Sequence, residues 1–372
     1  MKIVHICIGC HYTTGLAYQE NKFAEHDLKQ GHEVFILTDK YEYKDGRLAV
    51  GDNESSKNLK VMRFDYSSFI LKDKFKKVSG LLASLDQIGP DVIFFHGITG
   101  LELITVYRYL RKNRDVKLYI DSHEDYNNSG KNLISRYIQY KFITNLLHLM
   151  IDPFVEKYFY VTNECYEFCR EHIYVNATKW EYLPLGGDVL SDVDYKQLRH
   201  EVRSIDAVNN ETIYLCSGKF DAGKKLLTTL QMFDKASKRN VDLKLLIAGV
   251  IDFEESEVLD IIASNRSIVF LGWLESKELM GLLCASDVYV QLGTQSATMQ
   301  IAACLKNALI LQNFSSHSHL FGHDSWFLSD ISEFEEIAAT SSKVEIDTKR
   351  DVIFEIAKDR LDYGILSNAY KG

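Results

Sequence analysis

Short apolar runs rich in β-branched and aromatic residues alternate along the chain with longer segments of helical period, the pattern of βαβ units and parallel sheets. In the first half the runs fall at 2–8, 33–38, 61–64, 91–95, 117–121, 158–161 and 180–183. The clearest helical segment, 16–30, sets Leu16, Phe23, Ala24 and Leu28 on one face and meets Gly31 just past its end. The second half repeats the grammar from Thr212, with strands expected at 213–216, 244–248, 267–271, 288–292 and 309–312 and helices near 224–237, 254–263, 276–284 and 298–305. Between the halves, LPLGGD at 183–188 carries Pro184, Gly186 and Gly187, a strong break and a hinge by composition. The expected fold class is α/β: two Rossmann-like parallel-sheet domains facing across a cleft. We expect them at 1–183 and 212–350, with a linker at 184–211 and a C-terminal helical segment at 351–372 that can pack back on the first domain. In open sheets of this kind ligands bind beyond the carboxyl ends of the strands.

Composition changes this picture only in detail. A length of 372 residues suits two domains, and 46% hydrophobic with 26% charged residues suits folded cores rather than disorder. MKIVHICIGC reads as a first strand rather than a signal peptide, and no run of about 18 apolar residues suggests a membrane-spanning helix. Seven scattered cysteines point to reduced thiols and a cytoplasmic location; Cys7 and Cys10 form a C-x-x-C, but with Cys7 inside a strand both are expected to be packing residues. A net charge of −9 argues against nucleic acid as a partner. Lys131, Arg136 and Lys141 nevertheless lie in an aromatic-rich stretch, 131–154, that could touch the inner face of a membrane, beside the commoner reading of such a stretch as a solvated helix face.

Candidate chemistry sits after the strands. GCHYTTG at 9–15 opens the first helix, but its two glycines are separated by five intervening residues, so it fails the G-x-G-x-x-G dinucleotide fingerprint. SGKFDAGKKL at 217–226 places Lys219 and Lys224 around a turn at a strand's carboxyl end, where two ammonium groups can neutralise a departing diphosphate or simply solvate a loop. GTQSATM at 293–299 has the same position in its own βα unit. Main-chain N–H groups of Ser296, Ala297, Thr298 and Met299 would favour an anion there, with N-capping by Ser296 or Thr298 as the plain alternative. Asp121, His123, Glu124 and Asp125 crowd the end of another strand, and a histidine among carboxylates can carry a proton or donate to a sugar hydroxyl. His317, His319 and His323 lack a second ligand pair, and no metal site is expected.

With these pieces in order, the chain resembles the GT-B glycosyltransferases, specifically the large retaining family called glycosyltransferase group 1 or family 4. GLAYQENKFAEHDLKQGHEVFILTD is similar to that family's first loop, helix and strand; EYLPLGGD to its interdomain P-x-G-x-D; SGKFDAGKKL to its G-R-x-x-x-x-K; FLGW to its F-x-G turn; and ASDVYV to the strand before its donor loop. The resemblance implies that Lys224 and Lys219 hold the diphosphate of a nucleotide sugar, with Lys219 standing where the family has arginine. It implies that His123 contacts the donor near the reacting centre. Gly15, Thr14, Glu124, Gly218, Trp273, Gln295, Ser296, Ala297, Thr298 and Met299 would line the substrates. Two glutamates eight positions apart are usual in the donor loop, and here Gly293 and Ile301 stand in their places. The implied chemistry is sugar transfer from a donor of UDP or GDP type to a glycan, lipid-linked or other hydroxyl acceptor in surface polysaccharide or glycoconjugate synthesis, with no permanent cofactor and no metal requirement. Two alternatives remain: a catalytically degenerate GT-B domain that binds a sugar, nucleotide or partner protein, and a nucleotide-sugar epimerase.

Overall fold

Lys2–Cys7 is buried at five of its six positions, as expected of a strand covered by helices on both faces, and Val92–Phe95 at all four. The computed structural model describes residues 1–44, 47–67, 77–126, 128–130, 132, 135–205, 211–220, 222–251, 256–293 and 296–371. The chain divides into two units, Met1–Pro184 together with Leu366–Gly372, and Leu185–Ile365.

In the first unit the strands lie in the order Trp180–Tyr182, Val155–Tyr160, Lys117–Ser122, Val92–Phe95, Lys2–Cys7, Glu33–Asp39, Leu59–Phe64 and Glu54–Ser55. Every pairing is parallel except the last, which is antiparallel. Strand order therefore reverses between Lys2–Cys7 and Val92–Phe95, and this is the sheet's topological switch point. The first helix runs Gln19–Lys29, three residues later than its apolar spacing predicts. A turn explains the delay: Gly15 adopts a left-handed φ of +86°, Leu16 N donates to the Thr13 carbonyl, and Asn21 Nδ2 holds that carbonyl as well. The hairpin of Tyr41–Lys44 with Arg47–Val50 has no counterpart in the sequence reading, because its residues show no apolar run.

The second unit orders its strands Ile268–Gly272, Leu243–Ile251, Thr212–Phe220, Val288–Gln291, Ala308–Gln312 and Trp326–Leu328, all parallel. Numbered along the chain this is 3-2-1-4-5-6, the Rossmann order, with its switch point between Thr212–Phe220 and Val288–Gln291. The polar segment after the Pro-Gly-Gly break contains a helix, Asp192–Ile205. Its charges hold it in place: Arg199 donates to the carbonyls of Cys284, Ala285 and Ser286 at the end of Ser276–Ala285, and Arg199 and Arg203 both pair with Asp287 at 2.5 Å. These cations sit where a helix dipole is negative.

Candidate functional site

At the second unit's switch point the two turns singled out by sequence meet. Thr212–Phe220 delivers Gly218 and an exposed Lys219, and the short helical turn Ala222–Lys224 presents a half-buried Lys224. From the neighbouring strand comes Gly293, and here the approach is so close that a Cβ would lie 2.2 Å from the Gly223 carbonyl oxygen and 2.5 Å from Lys224 Cα. Only glycine fits, since any larger residue would displace the lysine turn. Lys224 lines a recess with Ser217, Thr229, Gln291 and Leu292.

Ser296 caps the helix Ala297–Cys304, its hydroxyl accepting from Thr298 N at 3.2 Å, and Met299 N reaches the Ser296 carbonyl at 3.3 Å. The capping alternative for Ser296 is thus realised, and two of the four N–H groups considered for an anion have partners within the turn. The N–H groups of Ser296 and Ala297 are the ones the cap does not use. Ile301, on the same helix, is covered by the linker: a Cβ on Gly187 would come within 2.9 Å of Ile301 Cα. Trp273 follows the edge strand Ile268–Gly272 and is exposed, two strands away from Lys219. Gln295 lies outside the described residues.

Tyr289 joins these turns and was not legible as a site residue. Burial pushes its hydroxyl up to about 12, against hydrogen bonds with Ser217, Ser296 and Thr298. One fully buried phenol therefore ties Ser217, near the carboxyl end of Thr212–Phe220, to the start of Ala297–Cys304.

In the first unit the switch point is lined differently. The loop after Lys2–Cys7 carries Thr14, whose hydroxyl donates to both oxygens of Glu54 at 2.8 and 2.9 Å, and Gly15. Cys7 is buried, whereas Cys10 is exposed rather than packed. Past Lys117–Ser122, Glu124 accepts from Ser122 Oγ at 2.8 Å and from His123 N at 3.1 Å, which makes it a brace for its own loop; burial raises its carboxyl.

His123 is the open member of this group. Its side chain is 42% exposed, and Nε2 lies 3.6 Å from Asp121 Oδ2. Burial would lower the imidazole, but the Asp121 carboxylate outweighs it, with Glu20 and Glu124 contributing, and His123 is raised to about 9. Asp121 itself is held well below the usual carboxylate range: burial would raise it, yet His96 and His123 prevail. Gly97 N donates to Asp121 Oδ1 at 2.7 Å and His96 Nδ1 lies 2.8 Å from Oδ2. The sequence reading missed His96, which directly follows the apolar run VIFF, and His5, in the middle of KIVHICI; the only signal was a polar residue at the end of, or within, a buried strand. Of the histidines at 317–323, His317 is buried and its Nδ1 engages the Gln312 carbonyl at 2.9 Å.

No protein-family model matches the chain, and no curated protein matches it in sequence. Solved structures do match it in shape. A glycosyltransferase from Rickettsia africae ESF-5 aligns with a TM-score of 0.67 at 12% identity, over 99% of this chain and 96% of that one. HepE of Anabaena in complex with UDP and glucose aligns with a TM-score of 0.65 at 13% identity, over 99% and 97%. WaaG, a glycosyltransferase involved in lipopolysaccharide biosynthesis, gives 0.64 at 12% identity over the full length of both chains. At this identity the likeness defines the fold: two Rossmann-like parallel-sheet units of the GT-B type.

Proposed function

We propose that the protein is a glycosyltransferase that uses a nucleotide-diphosphate sugar, and that the second unit's switch point holds the diphosphate. One observation carries the reading: the Lys224 turn and the Gly293 loop are packed backbone to backbone at the carboxyl ends of adjacent parallel strands, and the same two βα units carry Lys219 and the helix start at Ser296. Lysine ammonium groups and main-chain N–H groups stabilise a leaving diphosphate without a side-chain nucleophile. His123 is then the residue meeting the reacting centre, with Asp121 orienting its ring. A UDP sugar is the first donor to try, because the HepE structure holds UDP and glucose. The acceptor is a hydroxyl of a glycan or lipid-linked saccharide, and retention of anomeric configuration follows if the donor phosphate deprotonates it on the same face.

Peripheral membrane contact belongs to this proposal. The π-helical segment Ser135–Thr144 and the α-helix Asn145–Ile151 expose Ile138, Phe142, Leu146 and Leu149 at spacings of four, four and three, with Tyr137, Arg136 and Lys141 alongside. An apolar stripe flanked by cations suits an anionic lipid surface. Lys131, part of the same expectation, lies outside the described residues. No helix among the described residues is long and apolar enough to cross a membrane.

A second reading, binding without transfer, is favoured by Gly293 and Ile301. Both stand where the resembling family has glutamates, and both are pressed against backbone, so this loop conformation recovers no acid there. A screen of UDP, GDP, dTDP and CMP sugars, first for binding and then for turnover with and without saccharide acceptors, separates the readings. Transfer to an acceptor supports the enzyme; binding with no turnover of any donor supports the second reading; turnover that needs no acceptor and leaves an isomer marks an epimerase.

A further inference from the structure

Three short contacts run in line through the interior of the first unit. Asp27 Oδ2 lies 3.0 Å from His5 Nε2, His5 Nδ1 lies 3.0 Å from His96 Nε2, and His96 Nδ1 lies 2.8 Å from Asp121 Oδ2. The side chains of His5, Asp27 and Asp121 have no exposure, and that of His96 has 6%. The two imidazole planes are within 16° of parallel with centroids 5.3 Å apart, the separation of rings meeting edge to edge. A hydrogen in the ring plane can therefore bridge the two nitrogens.

Proton counting then sets the charge. Ionised carboxylates only accept, so the ring nitrogen facing each one carries a proton, and the central contact requires one more. Three protons on two rings is one more than two neutral imidazoles hold. Moving the extra proton to a carboxylate is opposed at both ends. Asp27 accepts from the Tyr370 hydroxyl at 3.0 Å and faces Lys371 Nζ at 2.6 Å; Asp121 accepts from Gly97 N and faces His123. Burial would raise both carboxyls, but His5 and Lys371 at one end, and His96 and His123 at the other, hold them below the usual range. Burial also lowers His5, in spite of Asp27.

Every layer around the pair fits this arrangement. The helix Gln19–Lys29 supplies Asp27, Lys117–Ser122 supplies Asp121, and the segment Leu366–Gly372 supplies Tyr370 and Lys371, while His32 also couples to Asp27 and Lys371. Uncharged aromatic rings fill the rest: Phe94 stacks on His96 at 4.4 Å, and Tyr370 meets His5 edge-on at 5.9 Å.

We propose that His5 and His96 share one excess proton, forming a buried cation behind Asp121 that fixes this carboxylate against His123, and that Tyr370 and Lys371 hold the far end of the chain through Asp27. The proton count depends on no functional reading. The role of His5 and His96 as positioning residues rests on the proposed function of His123.

The test is a long-range 1H–15N correlation spectrum of the histidine rings of the full chain near neutral pH, assigned with His5→Gln and His96→Gln. Three of the four ring nitrogens of His5 and His96 should be protonated. In Asp27→Asn the new amide can donate to His5 Nε2, so two neutral rings satisfy all three contacts; the count should fall to two, and the His123 titration midpoint should rise because a neighbouring cation is gone. A count of two in the parent overturns the shared proton, and the parent spectrum alone decides this should the variant not fold. An unmoved His123 midpoint in a folded Asp27→Asn protein overturns the positioning role. So does unchanged donor turnover in His123→Gln, which leaves the count intact.

Discussion

The two sheets reverse strand order by the same topological device yet place opposite chemistry at the reversal. In the first unit the switch point is filled with groups that exchange protons: His5, His96, Asp121 and His123, three of them deeply buried. In the second it is built from lysines and backbone, Lys219, Lys224, Gly293 and the start of Ala297–Cys304, with one phenol, Tyr289, as the tie. Topology thus fixes where a ligand can sit. Side chains decide what is done there: the second arrangement can hold an anion with little change of its own charge, and the first can orient a group and change its protonation.

This contrast can be broken by substitutions that should act in one unit only. The largest effect is expected for Asp121→Asn. Removing one member of a buried ionic set costs about 3–5 kcal/mol, so urea unfolding should show a loss of that order, while any folded fraction keeps its UDP affinity. Gly293→Ala comes next: its Cβ would overlap the Lys224 turn, and overpacking of this kind costs about 1–3 kcal/mol, read as a lower melting temperature together with weaker UDP binding. Lys224→Ala should leave stability nearly unchanged and weaken UDP by about 10–100-fold, as loss of a charged hydrogen bond worth ~1.5–3 kcal/mol implies. His123 carries a pH signature. It is raised from 6.5 to about 9 in the folded chain, so its protonation stabilises the fold fully below pH 6.5, and that contribution is lost as pH rises through about 9. Denaturant midpoints across this window should fall more in the parent than in His123→Gln. The smallest effect is expected outside both switch points: Phe142→Ser should reduce binding to anionic liposomes a few-fold and leave UDP affinity and stability alone.

Much of this was legible in the sequence because buried parallel strands are written as near-continuous apolar runs. Val288–Gln291 and Ala308–Gln312 fall where the runs place them, and the lysine turn is marked by glycines and charge, although the strand before it runs on from the expected end at Cys216 to Phe220. Elements held by ionic contacts were not legible. Asp192–Ile205 is anchored by Arg199 and Arg203 on Asp287, a pairing across more than eighty residues that no local pattern announces. The same holds at the candidate site. His123 stood out because carboxylates flank it in the chain, whereas His5, His96 and Asp27 meet only after folding. Gly293 looked like a missing acid; its reason is a close approach to Gly223 and Lys224 that only the backbone reveals.

The claim that the second unit's switch point binds the diphosphate, and the first does not, is tested most directly by calorimetric titration of UDP into the parent, Lys224→Ala and His123→Gln. The parent should bind clearly, with affinity weakened by about 10–100-fold in Lys224→Ala and within about twofold of the parent in His123→Gln, since a change that small is below ~0.5 kcal/mol. Equal affinity in the parent and Lys224→Ala would contradict it.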